Sequence, residues 1–169
     1  SEFGTTIDKV FTDFSEPIAA ASIAQVHFAK INNNGVETEV AVKILRPQIE
    51  KIIEQEMSRL EWLTSFLENF KEFERLRPNS IIKKAKEVIK FELDLRYEAA
   101  AASELRENTQ LDESFYVPLV YWEKITQKIL TMEKINGIPA DKIEKLNENN
   151  YDIKKSAENL IVNFLRQSI

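Results

Sequence analysis

The chain has no cysteine and one histidine among its 169 residues. Disulfide staples and thiolate metal sites are thereby excluded, as is a metal centre built from several imidazoles. Glycine is almost as scarce, with Gly4, Gly35 and Gly137 the full set. A glycine-rich phosphate loop is therefore impossible, and any loop that cradles phosphate must use residues bearing a Cβ. No apolar run approaches the about 18–20 residues of a membrane span, and no signal peptide is visible. A net charge of −5 gives no reason to expect a nucleic-acid partner. The chain does have 43% hydrophobic and 30% charged residues, which suits a soluble globular domain with a core of its own. Ser1-Glu2-Phe3-Gly4 reads as a vector-derived scar, so the fold is expected to begin at residue 5, with the natural protein longer at both ends.

The chain divides at its punctuation. Ile7, Val10, Phe11 and Phe14 recur at helical spacing, which predicts a short helix over 6–14 that ends before Glu16-Pro17. Residues 23–31 read as a strand and Glu39 to Leu45 as its return, joined through the hairpin signal Asn32-Asn33-Asn34-Gly35. From Arg46-Pro47 a long amphipathic helix is expected to about Leu76, with Ile49, Ile52, Ile53, Met57, Leu60, Leu63, Phe66, Leu67 and Phe70 on one face. Arg77-Pro78-Asn79-Ser80 breaks it and offers Asn79 or Ser80 as the N-cap of a second helix running to about Asn108. Phe115 to Trp122 and Lys128 to Glu133 read as two further strands. A turn at 135–139, a short helix over 140–146 and a last helix over 152–169 complete the chain.

Chemistry gathers between Pro17 and Lys43. If Ala19, Ala21 and Ala24 were glycine, the stretch Pro17-Ile18-Ala19-Ala20-Ala21-Ser22-Ile23-Ala24-Gln25-Val26-His27 would read G-x-G-x-x-G-x-V, with Val26 as the final valine. Val40-Ala41-Val42-Lys43 matches the V-A-I-K strand that carries the nucleotide lysine of protein kinases. The pattern predicts the nucleotide-facing hairpin of a kinase-like small lobe, with alanine in place of glycine. An ammonium at the end of an apolar strand is expensive to bury alone. Lys43 therefore needs a helix carboxylate, nucleotide phosphates or both, unless it reaches out to solvent. Asp94 and Glu98, four apart on the expected helix, would share a face and need a cation near them. Glu92 would point elsewhere and pair with Arg96. His27 reads as structural. Met132 and Glu133, followed by Lys134-Ile135, end a strand where a kinase-like lobe would have its hinge.

The alanine loop, Val40-Ala41-Val42-Lys43, Arg46-Pro47, Glu92-Leu93-Asp94-Leu95-Arg96-Tyr97-Glu98-Ala99-Ala100 and Leu130-Thr131-Met132-Glu133 together strongly resemble the UbiB family of atypical kinase-like proteins of ubiquinone biosynthesis. The resemblance implies an α+β fold: a protein-kinase-like small lobe over 5–134 with a five-stranded antiparallel sheet and an inserted long helix at 47–76. Residues 135–169 would be the hinge and the first helices of a helical lobe cut short.

It also implies site residues. Lys43 and Glu98 would form the catalytic ion pair. Ala19, Ala20, Ala21, Ser22, Val26, Ala41, Met132, Glu133 and Ile135 would join Lys43 around ATP or ADP, and Glu92 and Asp94 would form an E-x-D pair that could hold Mg²⁺. Implied partners are ubiquinone-precursor lipids and other proteins of that pathway. The implied place is the cytoplasmic face of a bacterial inner membrane or a mitochondrial inner membrane, reached through parts outside this soluble segment. Two family segments have no counterpart here: an N-terminal K-x-G-Q and a downstream H-x-D-x-H-P-G-N with its D-F-G. The segment alone is therefore expected not to turn over ATP, and its open last helix could support self-association. The alternative is a pseudokinase-like lipid- or protein-binding scaffold, with the long helix as its docking surface.

Overall fold

Asn34 and Gly35 adopt positive φ, 53° and 87°, and the Gly35 amide donates to Asn32 Oδ1 at 2.7 Å. This sharp turn joins β2 (Ala24–Asn33) to β3 (Val36–Leu45), which pair in unbroken register from Ala24↔Leu45 to Asn33↔Val36. The computed structural model describes residues 2–68, 70, 76–112 and 114–167. Among them the sheet has four antiparallel strands, β1 (Ala19–Ala20), β2, β3 and β4 (Ile129–Glu133), in that order.

The expected fifth strand is a correction. Residues 115–122 meet the sheet through one isolated bridge, Val120 with Met132, flanked by backbone bonds from Tyr121 to Thr131 and from Glu133 to Leu119. Pro118 has no N–H to donate to a ladder, and Trp122–Lys124 already coils into a 3₁₀ turn. The expected helix over 6–14 likewise shrinks to a 3₁₀ turn at Ile7–Lys9. Beyond it Thr12 exchanges two backbone bonds with Lys30, and the Ser15 amide donates to Phe28 O. A nine-residue helix is marginal alone, whereas the edge of β2 offers ready partners. Phe11 is buried, with the rings of Phe3 and Phe14 edge-on to it at 5.8 and 5.9 Å.

Five α-helices lie among the described residues: α1 (Ile49–Leu67), α2 (Pro78–Glu92), α3 (Leu95–Asn108), α4 (Ile143–Glu148) and α5 (Ile153–Gln167). The helix expected to reach Leu76 ends at Leu67, and residues 71–75 lie outside the described set. The second helix starts at Pro78, a residue suited to a first helical position because its missing N–H would be unpaired there anyway. Asn79 is not a cap. Its side chain accepts from Thr64 Oγ1 at 2.5 Å and donates to Glu68, and Lys86 reaches Glu61 at 3.1 Å, so α1 and α2 are stitched into an antiparallel hairpin.

Helix α3 lies against one face of the sheet. Leu95, Ala99 and Ala102, on one stripe of α3, join Ala24, Leu45, Leu130 and Met132 in a single cluster. The other face packs Ala29, Ile31, Val40, Val42 and Ile129 on Phe11. Val40, Val42 and Leu130 are fully buried, each contributing about 1.5–3 kcal/mol. From Val40 to Leu45, β3 is buried or half-buried, and Lys43 emerges within this stretch on the α3 side.

Candidate functional site

The hairpin register decides what faces the α3 side. Directly paired residues share a face, and alternate residues along a strand do too. Ala19↔Val26↔Lys43↔Leu130 is one row across the sheet, and Phe28↔Ala41↔Met132 is the next row on the same face. The structure thus brings Ala19, Val26, Ala41, Lys43 and Met132 together. Ala20, opposite Gln25, and Glu133, opposite Val40, belong to the other face.

Glu98 reaches this face from α3. The expected single helix over 80–108 breaks at Leu93-Asp94, where Asp94 takes extended φ/ψ (−122°, 96°) and accepts from the Arg96 amide as the N-cap of α3. Leu95 N–H donates to Gln127 O at 2.9 Å, which ties the first residue of α3 to the loop before β4. Glu98 falls one turn later, at the edge of the stripe formed by Leu95 and Ala99. Its two carboxylate oxygens receive the Lys43 ammonium at 2.9 and 2.6 Å. The pair is partly open, with side chains 29% and 44% exposed. An ammonium has three N–H groups. Two are directed to Glu98, which leaves one for another acceptor on the open side.

Asp94 and Glu98 do not share a helix face around a cation, because Asp94 stands outside the first turn. The side chain of Asp94, 11% exposed, is gripped by Arg96 through Nε at 2.8 Å and Nη2 at 2.6 Å. That guanidinium and the Arg96 amide hold the Asp94 carboxyl below its ordinary range, against the opposing effect of burial. Glu92 is the exposed last residue of α2, and Arg96 goes to Asp94 instead of to it. Among the described residues no group of three or more His, Asp or Glu side chains is placed to hold a metal ion. With Asp94 engaged by Arg96, the Glu92 and Asp94 pair does not fit Mg²⁺.

The alanine loop closes on itself. Ile18 N–H donates to Val26 O at 2.8 Å and Ala21 N–H to Ala24 O at 2.9 Å, while Ser22 is exposed at the tip. On the opposite face, the Glu133 side chain is engaged within the protein. It accepts from Tyr116 Oη at 2.5 Å and from the Leu119 amide at 3.1 Å. The Tyr116 bond, with help from the Leu119 amide and nearby Arg106, lowers its pKa despite burial. Arg106 of α3 lies over the Tyr116 ring at 5.4 Å and donates to Val117 O, so α3 is tied to the end of β4. Ile135 follows, exposed. His27 lies on the opposite face, its Nδ1 2.8 Å from Ser15 O and its ring 4.8 Å from that of Phe14.

Sequence reasoning missed Tyr116 and Arg106 because nothing in their spacing links them to residue 133. It missed the Asp94 cap because Leu-Asp-Leu carries no proline or glycine to mark a break. A concavity of about 840 Å³, lined by Glu104, Leu105, Asp112, Asn163 and Arg166 among others, lies where α3 meets α5 and includes none of these site residues.

The chain matches the family described as "ABC1 atypical kinase-like domain" over residues 1–169. It is 38% identical over 169 residues to "Probable protein kinase UbiB" of Aeromonas hydrophila subsp. hydrophila, covering 99% of this chain and 31% of that protein. It is 39% identical over 168 residues to the protein of the same name from Glaesserella parasuis, covering 97% of this chain and 31% of the relative. The protein of that name from Pseudomonas paraeruginosa is also 39% identical over 168 residues, with 98% and 31% covered. The chain thus spans about a third of the length of these relatives. With the family match running over residues 1–169 of an α+β chain, the chain belongs to the ABC1/UbiB family of atypical kinase-like proteins.

Proposed function

We propose that this chain is the nucleotide-binding lobe of an atypical kinase or ATPase that supports ubiquinone biosynthesis, with ATP or ADP as its ligand. The observation that carries the reading is the Lys43–Glu98 pair, 2.6 Å at its shorter contact, on the same sheet face as Ala19, Val26, Ala41 and Met132. Glu98 orients the ammonium and leaves one N–H for an α- or β-phosphate oxygen, in the way kinase strand lysines are used. Val26, Ala41 and Met132 supply an apolar surface for the base, and backbone groups from Met132 to Ile135 supply its polar edge. Ala19 to Ser22 cover the phosphates. Their Cβ atoms hold the backbone further from the terminal phosphate than glycine would, which favours a nucleotide preference unlike that of glycine-loop kinases.

Phosphoryl transfer also needs a group that orients the nucleophile. In the resemblance that group lies in the downstream H-x-D-x-H-P-G-N segment, so turnover belongs to the whole protein and not to this chain alone. Since Glu92 and Asp94 do not fit Mg²⁺, no step is routed through them. The test is nucleotide binding and ATP turnover by the full-length protein. Lys43→Ala should weaken binding at least about tenfold and abolish turnover, and an Ala variant that binds and hydrolyses ATP as the parent does would end the reading.

A second reading, a scaffold that binds lipid or protein partners of the pathway, is favoured by large apolar side chains left open on α1 and α2. Trp62 is 73% exposed, and Phe66, Ile81 and Phe91 are each more than half exposed. Intact support of ubiquinone synthesis in cells carrying Lys43→Ala would select this reading over the enzyme.

A further inference from the structure

Arg46 is part of the sequence signature, yet the ion pair and the apolar face leave it without a role. It is the first residue after β3, and it is exposed. Its amide N–H donates to Ile23 O at 2.9 Å, and its side-chain Nε donates to Ala21 O at 3.1 Å. Ala21 N–H in turn donates to Ala24 O. The bend 21–24 is therefore closed internally by one bond and fastened to the end of β3 by two more. Among the described residues, the amides of Ser22 and Ile23 make no hydrogen bond, and the terminal guanidinium nitrogens of Arg46 have no carboxylate partner.

This arrangement answers a problem that alanine creates. A phosphate-covering loop must offer N–H groups and turn its carbonyl oxygens away, because a carbonyl dipole repels phosphate oxygen. Glycine can reach such peptide orientations through backbone angles denied to residues with a Cβ. An alanine loop has fewer, so an external tie that takes up the offending carbonyl is worth more. Arg46 takes the Ala21 carbonyl and leaves two consecutive tip amides unpaired. Its planar guanidinium can hold a carbonyl through Nε while its Nη groups stay available.

We propose that Arg46 is the positioning residue of the alanine loop, holding the 21–24 bend against β3 so that the tip amides and its own terminal nitrogens are kept for the phosphate end of a nucleoside di- or triphosphate. This rests on the nucleotide reading above. The role is positional; the chemistry of any transfer lies elsewhere.

The experiment uses the full-length protein in four forms: parent, Arg46→Met, Arg46→Lys and Lys43→Ala. Methionine keeps the stem and removes the donors, and an exposed position leaves the core undisturbed. Amide hydrogen exchange of the peptide over 19–25 is followed without ligand, and ADP affinity is measured by calorimetry. In Arg46→Met, exchange at the Ala21 amide should rise about tenfold and ADP affinity should fall about tenfold or more, as for loss of a hydrogen bond from a charged donor. Arg46→Lys should recover most of the exchange protection, since an ammonium can still reach the carbonyl, but less of the ADP affinity, since it lacks the further guanidinium nitrogens. Unchanged exchange in Arg46→Met overturns the tie itself. Faster exchange with unchanged ADP affinity, while Lys43→Ala loses ADP, overturns its service to phosphate and leaves the nucleotide reading standing. Lys43→Ala binding ADP like the parent overturns both.

Discussion

Glu98→Gln removes one negative charge from the site and almost no volume. In the full-length protein it tests whether Lys43 is held for a ligand or merely neutralised. The direct effect on stability should be small. Exposed ion pairs contribute about 0.2–1 kcal/mol and buried ones lose about 3–5 kcal/mol when one partner is removed. At 29% and 44% side-chain exposure this pair belongs near the lower range. About 1 kcal/mol corresponds to roughly 2–4 °C in melting temperature for a chain of this size and less for a larger protein. The effect on nucleotide should be larger. A hydrogen bond from an ammonium to phosphate is worth about 1.5–3 kcal/mol, so losing it in Lys43→Ala should weaken ADP binding by about ten- to hundredfold. Glu98→Gln leaves the ammonium present but unheld and should weaken binding by roughly tenfold. The double variant should bind like Lys43→Ala alone, because Glu98 acts through Lys43 and the two changes are not additive. Calorimetric titration with ADP, beside thermal melts of the same samples, measures both effects. Wild-type affinity in Glu98→Gln, or a double variant that loses the sum of the two single losses, would refute the reasoning.

Asp94→Ala should destabilise the protein by about 1–2 kcal/mol through loss of the α3 cap and its Arg96 clamp, read by denaturant melts. Asp94→Asn, which can still cap, should lose less, and equal losses would remove the cap from the explanation. The carboxyls of Asp94 and Glu133 both lie below their ordinary values in the folded protein. The unfolded chain therefore binds more protons in acid. Their stabilisation is complete above about pH 4–4.5, the unfolded carboxyl range, and is lost as pH falls through that range toward the lowered folded values. Melts from pH 3 to 7 should show a shallower acid-side decline in Asp94→Ala than in the parent; identical slopes would contradict this. Ala20→Gly or Ala21→Gly in the full-length protein should change the ratio of ATP to ADP affinity, and an unchanged ratio would count against the alanine loop as a determinant. The 169-residue chain alone should release no phosphate from ATP above a Lys43→Ala control.

What could be read from the sequence follows from how local each signal is. The Asn34-Gly35 turn and the alternation of Val40 and Val42 fix the β2–β3 register within a few residues, and that register puts Val26 opposite Lys43 with Ala41 on the same face, whereas Ala19 is placed by the separate β1–β2 pairing. Glu98 was legible only through family likeness, because its distance from Lys43 depends on where α3 begins. That start is set by Asp94, whose cap lies inside a run that reads as continuous helix. The fifth strand failed at Pro118, a residue visible in the sequence, because apolar residues on both sides of it outweighed the missing donor. The helix over 6–14 failed for the opposite reason: its periodicity was real, but the open edge of β2 made a better partner than its own turns. Tyr116, Arg106 and Arg46 act through bonds between segments far apart in the chain, and no spacing rule could have joined them.

A crystal structure of the full-length protein with ADP bound tests the central claim most directly. The expected result is an α- or β-phosphate oxygen within about 3.2 Å of Lys43 Nζ, with Glu98 still on the other side of the ammonium and the base lying against Val26, Ala41 and Met132. ADP seated away from that sheet face, or Lys43 and Glu98 turned apart with ADP in place, would contradict it.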